Sequence, residues 1–327
     1  MSAVIAPPRQ ASIYPALAVL VVGAGLPYLL HGGFQLRLAM LVWIYAILCM
    51  GFNLLYGYAG QISLGQQTFF AIGAYGFALL QIKAHWPAPL AFVASLAICA
   101  AVALALGVPL LRLRSHYLAM ATLAFALIFF GVTTRWIDFT GGSTGLSVPP
   151  LKFGGAPLGR MSIYYLVLAL AGAALLLHDF VARGAVGRAL QAIRDDETGA
   201  AALGVDVTRY KLRIFVLAAV FAGVAGVAFT IVSLRVDPSM SEFHVLVTIL
   251  TIAVVGGLGS RFGAILGAAV VMILPQTLVQ FGELETLIYG VFIVVFLVFL
   301  PNGLAGLLDR DNWRGVIAFA KARGGGA

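Results

Sequence analysis

Apolar residues fill this chain in long, nearly unbroken stretches, separated by short clusters of glycine, proline and charge. Most stretches show neither the one-sided stripe of a half-buried helix nor the alternation of a half-buried strand. They are apolar all round, as a helix is when its surroundings are lipid or other helices. Crossing a bilayer takes about 20 mostly apolar residues. Residues 12–30, 37–57, 65–82, 89–111, 116–133, 162–180, 212–234, 244–258, 262–281 and 285–300 meet or approach that length. The pattern predicts an all-α membrane protein, a polytopic bundle of about ten transmembrane helices. The run at 244–258 is short and ends in glycines. Two connections exceed what a helical hairpin needs, residues 134–161 and 181–211, and long connections in compact bundles tend to carry function.

Composition points the same way. The chain is 62% hydrophobic and 10% charged, against about 25% charged in soluble domains. So apolar a chain cannot cover itself with polar surface, and lipid must be its solvent. Cys49 and Cys99 lie inside apolar runs and form no Cys-x-x-Cys pair, which makes them small packing residues rather than metal or redox groups. The first apolar run lacks a convincing small-residue cleavage site, so it is expected to stay as a helix.

The net charge of +8 would suggest nucleic acid as a partner of a soluble protein. Here no dense basic run is interleaved with aromatics. The basic residues sit in short loops, where they set orientation and attract anionic membrane lipid. With a cytoplasmic N-terminus, Arg37, Lys83, Arg135, Lys152, Arg160 and Arg235 lie outside and the rest of the 20 lie inside. That bias predicts both termini in the cytoplasm, with 1–11 and 307–327 as tails and 12–306 as the transmembrane domain. In the C-terminal tail, Trp313, Val316, Ile317 and Ala320 recur at helical spacing among Arg314, Lys321 and Arg323. They suit a short helix on the cytoplasmic leaflet, with a disordered tail as the alternative.

Two absences narrow the function. No Asp, Glu or Lys stands at the centre of a predicted span, whereas ion-coupled carriers generally place ionisable groups or broken-helix ion sites there. No lysine follows a glycine, so the chain has no Walker A motif and any ATPase must be a separate subunit.

The inside loop runs Gly187-Arg-Ala-Leu-Gln-Ala-Ile-Arg-Asp-Asp-Glu-Thr-Gly-Ala-Ala-Ala-Leu-Gly204. Asp195 or Asp196 can cap a short helix, acidic residues complement its dipole, and Gly204 can end it. Such a helix is marginal alone, and its Ala-Ala-Ala-Leu stretch needs a surface to pack on. That surface is either a partner's cleft or the membrane face of the bundle itself.

Asn53, Gln61, Ser63, Gln66, Gln67 and Thr68 form a polar cluster at or near membrane depth, and Gly57, Gly60 and Gly65 invite an unwound stretch there. Irregular backbone within a membrane must be buried in protein or line a watery path. These residues either line the translocation route or bond helices to one another. Gly259, Gly263 and Gly267 form one small-residue stripe, and Gly223 and Gly226 with Ala222 another. Both read as close helix packing, or as contacts that slide during a conformational change. Pro275 could kink its helix and open a polar face at Gln276 and Thr277.

The segment Gly51-Phe-Asn-Leu-Leu-Tyr-Gly-Tyr-Ala-Gly-Gln-Ile-Ser-Leu-Gly-Gln-Gln-Thr-Phe-Phe-Ala-Ile-Gly-Ala-Tyr75 resembles the signature of branched-chain amino acid ABC transporter permeases. So do Thr140-Gly-Gly-Ser-Thr-Gly-Leu146, the 187–204 loop running on to Tyr210-Lys-Leu, and Val255-Gly-Gly-Leu-Gly-Ser-Arg-Phe-Gly-Ala-Ile-Leu-Gly-Ala268. The resemblance covers about residues 37 to 306, and the Thr-Gly-Gly-Ser loop favours the LivM-like branch over its LivH-like sister.

The resemblance implies a non-catalytic permease subunit of an importer. Its partners would be a second, LivH-like permease, two ATP-binding subunits holding the ATP and magnesium, and a periplasmic substrate-binding protein. This chain would hold no cofactor itself. The 181–211 loop would be the coupling segment, often Glu-Ala-Ala-x-x-x-Gly. Counting back from Gly204 puts Thr198, Gly199 and Ala200 at the Glu-Ala-Ala positions, with Glu197 one place early. The candidate coupling residues are therefore Asp195, Asp196, Glu197, Thr198, Gly199, Ala200, Ala201 and Gly204. A stand-alone channel or facilitator, or a secondary carrier, is the rival reading; both explain the charged inside loop only weakly, and that loop discriminates between the readings.

Overall fold

The computed structural model describes residues 14–30, 32–111, 115–153, 156–278, 285–300 and 303–308. Every predicted apolar run lies largely within a helix. These are α1 (Tyr14–Leu29), α2 (Gly33–Phe52), α3 (Gln66–Ile82), α4 (Ala88–Leu110) and α5 (Ser115–Arg135). A short α6 (Ile137–Thr140) precedes α7 (Arg160–Arg183). The inside loop forms α8 (Ala185–Asp195) and α9 (Glu197–Ala202). There follow α10 (Val207–Ser233), α11 (Phe243–Gly256), α12 (Arg261–Leu278), α13 (Glu285–Phe299) and the short α14 (Gly303–Leu308). Helices α2, α7 and α10 start earlier than the apolar runs do, because polar residues such as Arg160 and Arg209 are taken into their first turns. Pro275 falls in the last turn of α12, which remains one helix. The expected C-terminal surface helix lies outside the described residues.

Among the described residues, five helices are long and apolar enough to cross a membrane: α2 with its π-helical extension to Tyr58, α4, α5, α7 and α10. Parts of α1, α11 and α12 are shorter apolar helices. Their shares of the core differ. In α2 and in α10, 72% of the most apolar window is buried, against 28% in α4 and 22% in α5. The first two form the centre, with Ile44, Ile47, Leu48 and Leu54 sealed from the surface. The others present Val93, Leu104, Met120 and Ile128 outward, as lipid-facing helices do.

Backbone-to-backbone packing fixes the centre. Helices α3 and α10 run parallel, with Gln66 beside Ala218 and Gly73 beside Gly223. A Cβ on Gly73 would stand 2.5 Å from the Gly223 Cα, and one on Gly226 would overlap the Phe70 carbonyl oxygen. Only glycine allows this approach, and without a hydrophobic drive between helices such contact is what holds them together. A second close crossing joins α11 to α12, where a Cβ on Gly256 would overlap the Gly263 carbonyl and one on Gly267 the Ile252 carbonyl. Gly259 is not part of that crossing. It lies in the turn before α12 with φ +81°, and a Cβ there would meet nothing within 4 Å. The stripe expected at Gly259, Gly263 and Gly267 is thus Gly256, Gly263 and Gly267, because the helix stops at Gly256 and the chain reverses. A buried polar relay ties the edge helices in: Trp43 Nε1 donates to Tyr164 Oη (3.1 Å), which donates to the Gly23 carbonyl (2.7 Å).

The bundle has two distinct ends. At one, β1 (Leu146–Ser147) pairs antiparallel with β4 (Arg235–Val236), while β2 (Lys152–Phe153) pairs with β3 (Ala156–Pro157). Gly141, Gly142 and Gly145 all have positive φ, and a Cβ on Gly145 would overlap the Val236 carbonyl, which accounts for the glycines of the Thr140–Leu146 motif. Arg235 Nη2 donates to the Thr144 carbonyl across this ribbon (2.8 Å). The other end carries α8 and α9, separated from the ribbon by the whole length of α10, about 40 Å at 1.5 Å per residue.

Candidate functional site

The polar cluster lies where α2 gives way to α3. Helix α2 does not stop at Phe52 but widens into a π-helix over Asn53–Tyr58. Wide turns of this kind leave carbonyls unmatched and recur at functional sites. The end is closed by Ala59 N–H on the Leu54 carbonyl (3.3 Å) and Gln61 N–H on the Leu55 carbonyl (3.1 Å). Gly60 then turns the chain at φ +64°. Residues 59–65 are non-helical and mostly buried. They lead inward to Gln66, whose Nε2 donates to the Ala218 carbonyl (2.6 Å). Ala218 lies about 16 Å along α10 from Val207, so the segment climbs from the α8–α9 end toward the middle of the bundle.

Its side chains divide into two groups. Asn53 and Gln66 are partnered and structural in geometry. Asn53 Nδ2 donates to the Ser260 carbonyl (2.8 Å) and its Oδ1 accepts from Gly259 N–H (2.6 Å), so one amide clamps the α11–α12 turn to the end of α2. Gln66 ties α3 to α10. By contrast, Gln61 Nε2 and Oε1, Ser63 Oγ, Gln67 Oε1 and Thr68 Oγ1 are buried without a hydrogen-bonding protein partner. Gln67 uses only its Nε2, on the Leu64 carbonyl (3.2 Å). Buried polar atoms without partners are uncommon and each demands an explanation. Here several fall within eight residues of chain, and such groups can be met by water where the site is polar.

Thr122 of α5 closes one side. Its Oγ1 accepts from Leu64 N–H (3.0 Å), and a Cβ on Gly65 would stand 2.9 Å from the Thr122 carbonyl. The sequence gives no sign of this role: Thr122 is one hydroxyl in an apolar run, bonding back to its own helix at Leu118 (2.9 Å) as such residues usually do.

The α8–α9 region is built as its sequence suggests, with two helices in place of one. Leu190 and Ile193 of α8 are buried against the bundle with Gly187, while Arg188 and Gln191 are exposed. Asp196, not Asp195, caps α9, its Oδ1 accepting from Thr198 N–H (3.0 Å). Gly199 stands against that carboxylate, where a Cβ would come within 2.6 Å of Oδ2. Gly204, at φ +85°, ends the helix, with Val205 N–H returning to the Ala200 carbonyl (3.1 Å). Glu197 Oε2 pairs with Lys211 Nζ (2.6 Å), fixing α9 to the start of α10. Ala200 is buried beneath, while Asp195, Ala201, Ala202 and Leu203 are exposed, Leu203 at 86%. Among the described residues, no group of three or more His, Cys, Asp or Glu is placed to hold a metal ion.

The two regions touch. Arg194, at the end of α8, donates from Nη1 to the carbonyl of Gly57 in the π-helix. Tyr58 and His178 of α7 meet edge to face nearby, ring centroids 5.9 Å apart. Neither Arg194 nor His178 carries a local signal of this contact, since both stand far from the cluster along the chain.

The family model described as branched-chain amino acid transport system / permease component matches residues 34–300. The high-affinity branched-chain amino acid transport system permease protein LivM of Salmonella typhimurium is 34% identical over 317 residues, covering 88% of this chain and 73% of that protein. LivM of Escherichia coli K12 gives the same identity and coverage. LivH of Escherichia coli K12 is 25% identical over 284 residues, 80% of this chain and 91% of that protein. No solved structure matches the chain significantly.

Proposed function

The chain belongs to the branched-chain amino acid transport system / permease component family, and we propose that it imports branched-chain or similar small amino acids by ATP-driven alternating access. It does so as the LivM-like half of a permease pair, beside a LivH-like subunit, two ATP-binding subunits that hold ATP and magnesium, and a periplasmic binding protein. The observation that carries this reading is the exposed face of α9. Leu203 stands 86% exposed at the end of α9, and Asp195, Asp196, Ala201 and Ala202 are exposed in the same short stretch, with the helix capped at both ends and pinned to α10. A rigid apolar and acidic knob of this kind, at the end of the bundle away from the ribbon, suits a cleft on an ATP-binding subunit.

Residues 12–306 act as the permease domain, with Gln61, Ser63, Gln67 and Thr68 lining the route. A zwitterionic solute losing water needs hydrogen bonds, and fixed charges would hold it too tightly for release. Uncharged amides and hydroxyls fit both needs. The chain's part is conformational; it supplies no bond-making group.

The α8–α9 end faces the cytoplasm in this reading, with both termini. Cysteines placed at the exposed Ser143 and Thr198, in a background lacking Cys49 and Cys99, should label from opposite faces with an impermeant thiol reagent, 198 from the cytoplasm. Labelling of 143 from the cytoplasm would overturn the orientation.

The decisive experiment is leucine uptake by proteoliposomes of the complex purified with its ATP-binding subunits. Uptake should require ATP. Gly204→Ile, which forces a β-branched residue to φ +85°, should lower uptake per ATP about tenfold while membrane insertion persists. Equilibration of leucine without ATP would instead make the protein a facilitator.

A further inference from the structure

We propose that Arg194 is the positioning residue that joins the coupling helices to the translocation segment, so that α8 and the end of α2 move as one body. The inference rests on the ATP-driven reading above and adds the element that transmits the motion.

The last carbonyls of α2 and its π-helical extension have no successor helix to accept from, because residues 59–65 are non-helical. The Arg194 guanidinium supplies a donor to one of them, the Gly57 carbonyl. A cation at a helix C-terminus is also favoured by the helix dipole, and a charge-assisted bond is the strong kind. The arginine stem adds a steric part. It lies against Gly60, where a Cβ would stand 3.0 Å from Arg194 Cγ and 3.6 Å from Arg194 Cβ.

What Arg194 touches is a junction. A Cβ on Gly57 would come within 2.7 Å of Gly259 N, and Asn53 clamps Gly259 and Ser260 from the same π-helix. Gly303 of α14 is packed on the same turn, where its Cβ would be 2.5 Å from the Gly257 Cα. On the other side of Arg194, two residues along, Asp196 caps α9. Besides the apolar packing of α8 on the bundle, a push on the exposed face of α9 therefore has a polar link to the end of α2 and the α11–α12 turn through the Arg194 side chain. Gln61, next to Gly60, carries unpartnered buried amide atoms at the start of the proposed route. The ion pair of α9, Glu197 on Lys211, fastens it to α10 rather than directly to the π-helix.

The test uses the reconstituted complex, with leucine as the probe and ATP hydrolysis measured in the same vesicles. ATP-dependent uptake by the wild type tests the importer reading on its own. Arg194→Cys should keep the assembled complex and its ATP hydrolysis, yet lower leucine taken up per ATP about tenfold, the loss of one charge-assisted hydrogen bond. Arg194→Lys, which keeps a cationic donor, should restore part of it. The critical variant is Gly60→Cys with Arg194→Cys in a background lacking Cys49 and Cys99. The Cβ spacing of 3.6 Å suits a disulfide. A side chain at position 60, φ +64°, is strained in itself, so oxidation should return uptake per ATP toward the value of Gly60→Cys alone, and reduction should remove it again. A wild-type ratio in Arg194→Cys, or a cross-link that forms without restoring the ratio, overturns the proposal. Loss of complex and of hydrolysis together in Arg194→Cys also overturns it, by making the residue a folding contact.

Discussion

Where α3 meets α10, backbone rests on backbone: Gly73 on Gly223, Gly226 on the Phe70 carbonyl. One to two turns earlier, where α3 departs from the end of α2, the chain is unwound and carries polar side chains with unmet hydrogen bonds. Both regions are rich in glycine and both are buried, yet glycine serves opposite ends in them. In the first it removes side chains so that two helices lock over a long contact, with no soft side chain between them to yield. In the second it permits φ values and breaks that leave the backbone free to rearrange, Gly60 at φ +64° being the clearest. The contrast suggests a rigid body of α3, α10 and α2 as far as Phe52, against which the π-helical end and the short polar segment are repositioned.

The sharpest way to break the comparison is to put a side chain into the first region. Gly226→Leu drives its Cβ into the Phe70 carbonyl oxygen and should cost about 3 kcal/mol. The expected outcome is loss of the monodisperse protein on size exclusion in detergent. A variant that purifies normally would show that the α3–α10 contact is not the rigid part.

A smaller effect separates two glutamines five residues apart. Gln66→Leu removes the bond to the Ala218 carbonyl and should lower the melting temperature by about 2 °C. Gln61→Leu removes no protein hydrogen bond, so stability should hold or rise while ATP-driven leucine uptake falls about tenfold. Equal effects of both substitutions on uptake and on melting would erase the distinction between partnered and unpartnered polar groups.

Much of this architecture is legible in the sequence. Runs of apolar residues give the helices, since length and polarity alone decide what spans lipid. The cap and stop of α9 are readable because Asp196 and Gly204 act within their own few residues. The break after Tyr58 is foreshadowed by Gly57, Gly60 and Gly65 in a polar stretch. The glycine stripe misleads because Gly259 and Gly263 have helical spacing, and only the turn at Gly257, with φ +103°, shows that the helix ends first.

The sequence by itself determined what each segment is: its helicity, its fit to lipid, and the places where its backbone can turn. Tertiary structure alone decided which segments meet. Asn53 reaches Gly259 across 206 positions, and Arg194 reaches Gly57 across 137. Neither pairing leaves a local trace, because an amide or a guanidinium looks the same in sequence whether water, lipid headgroup or a distant carbonyl satisfies it. The depth and rotation of each helix against its neighbours settle that choice. Those are set by the sum of close glycine contacts along α3, α10, α11 and α12, and so by the packed bundle as a whole.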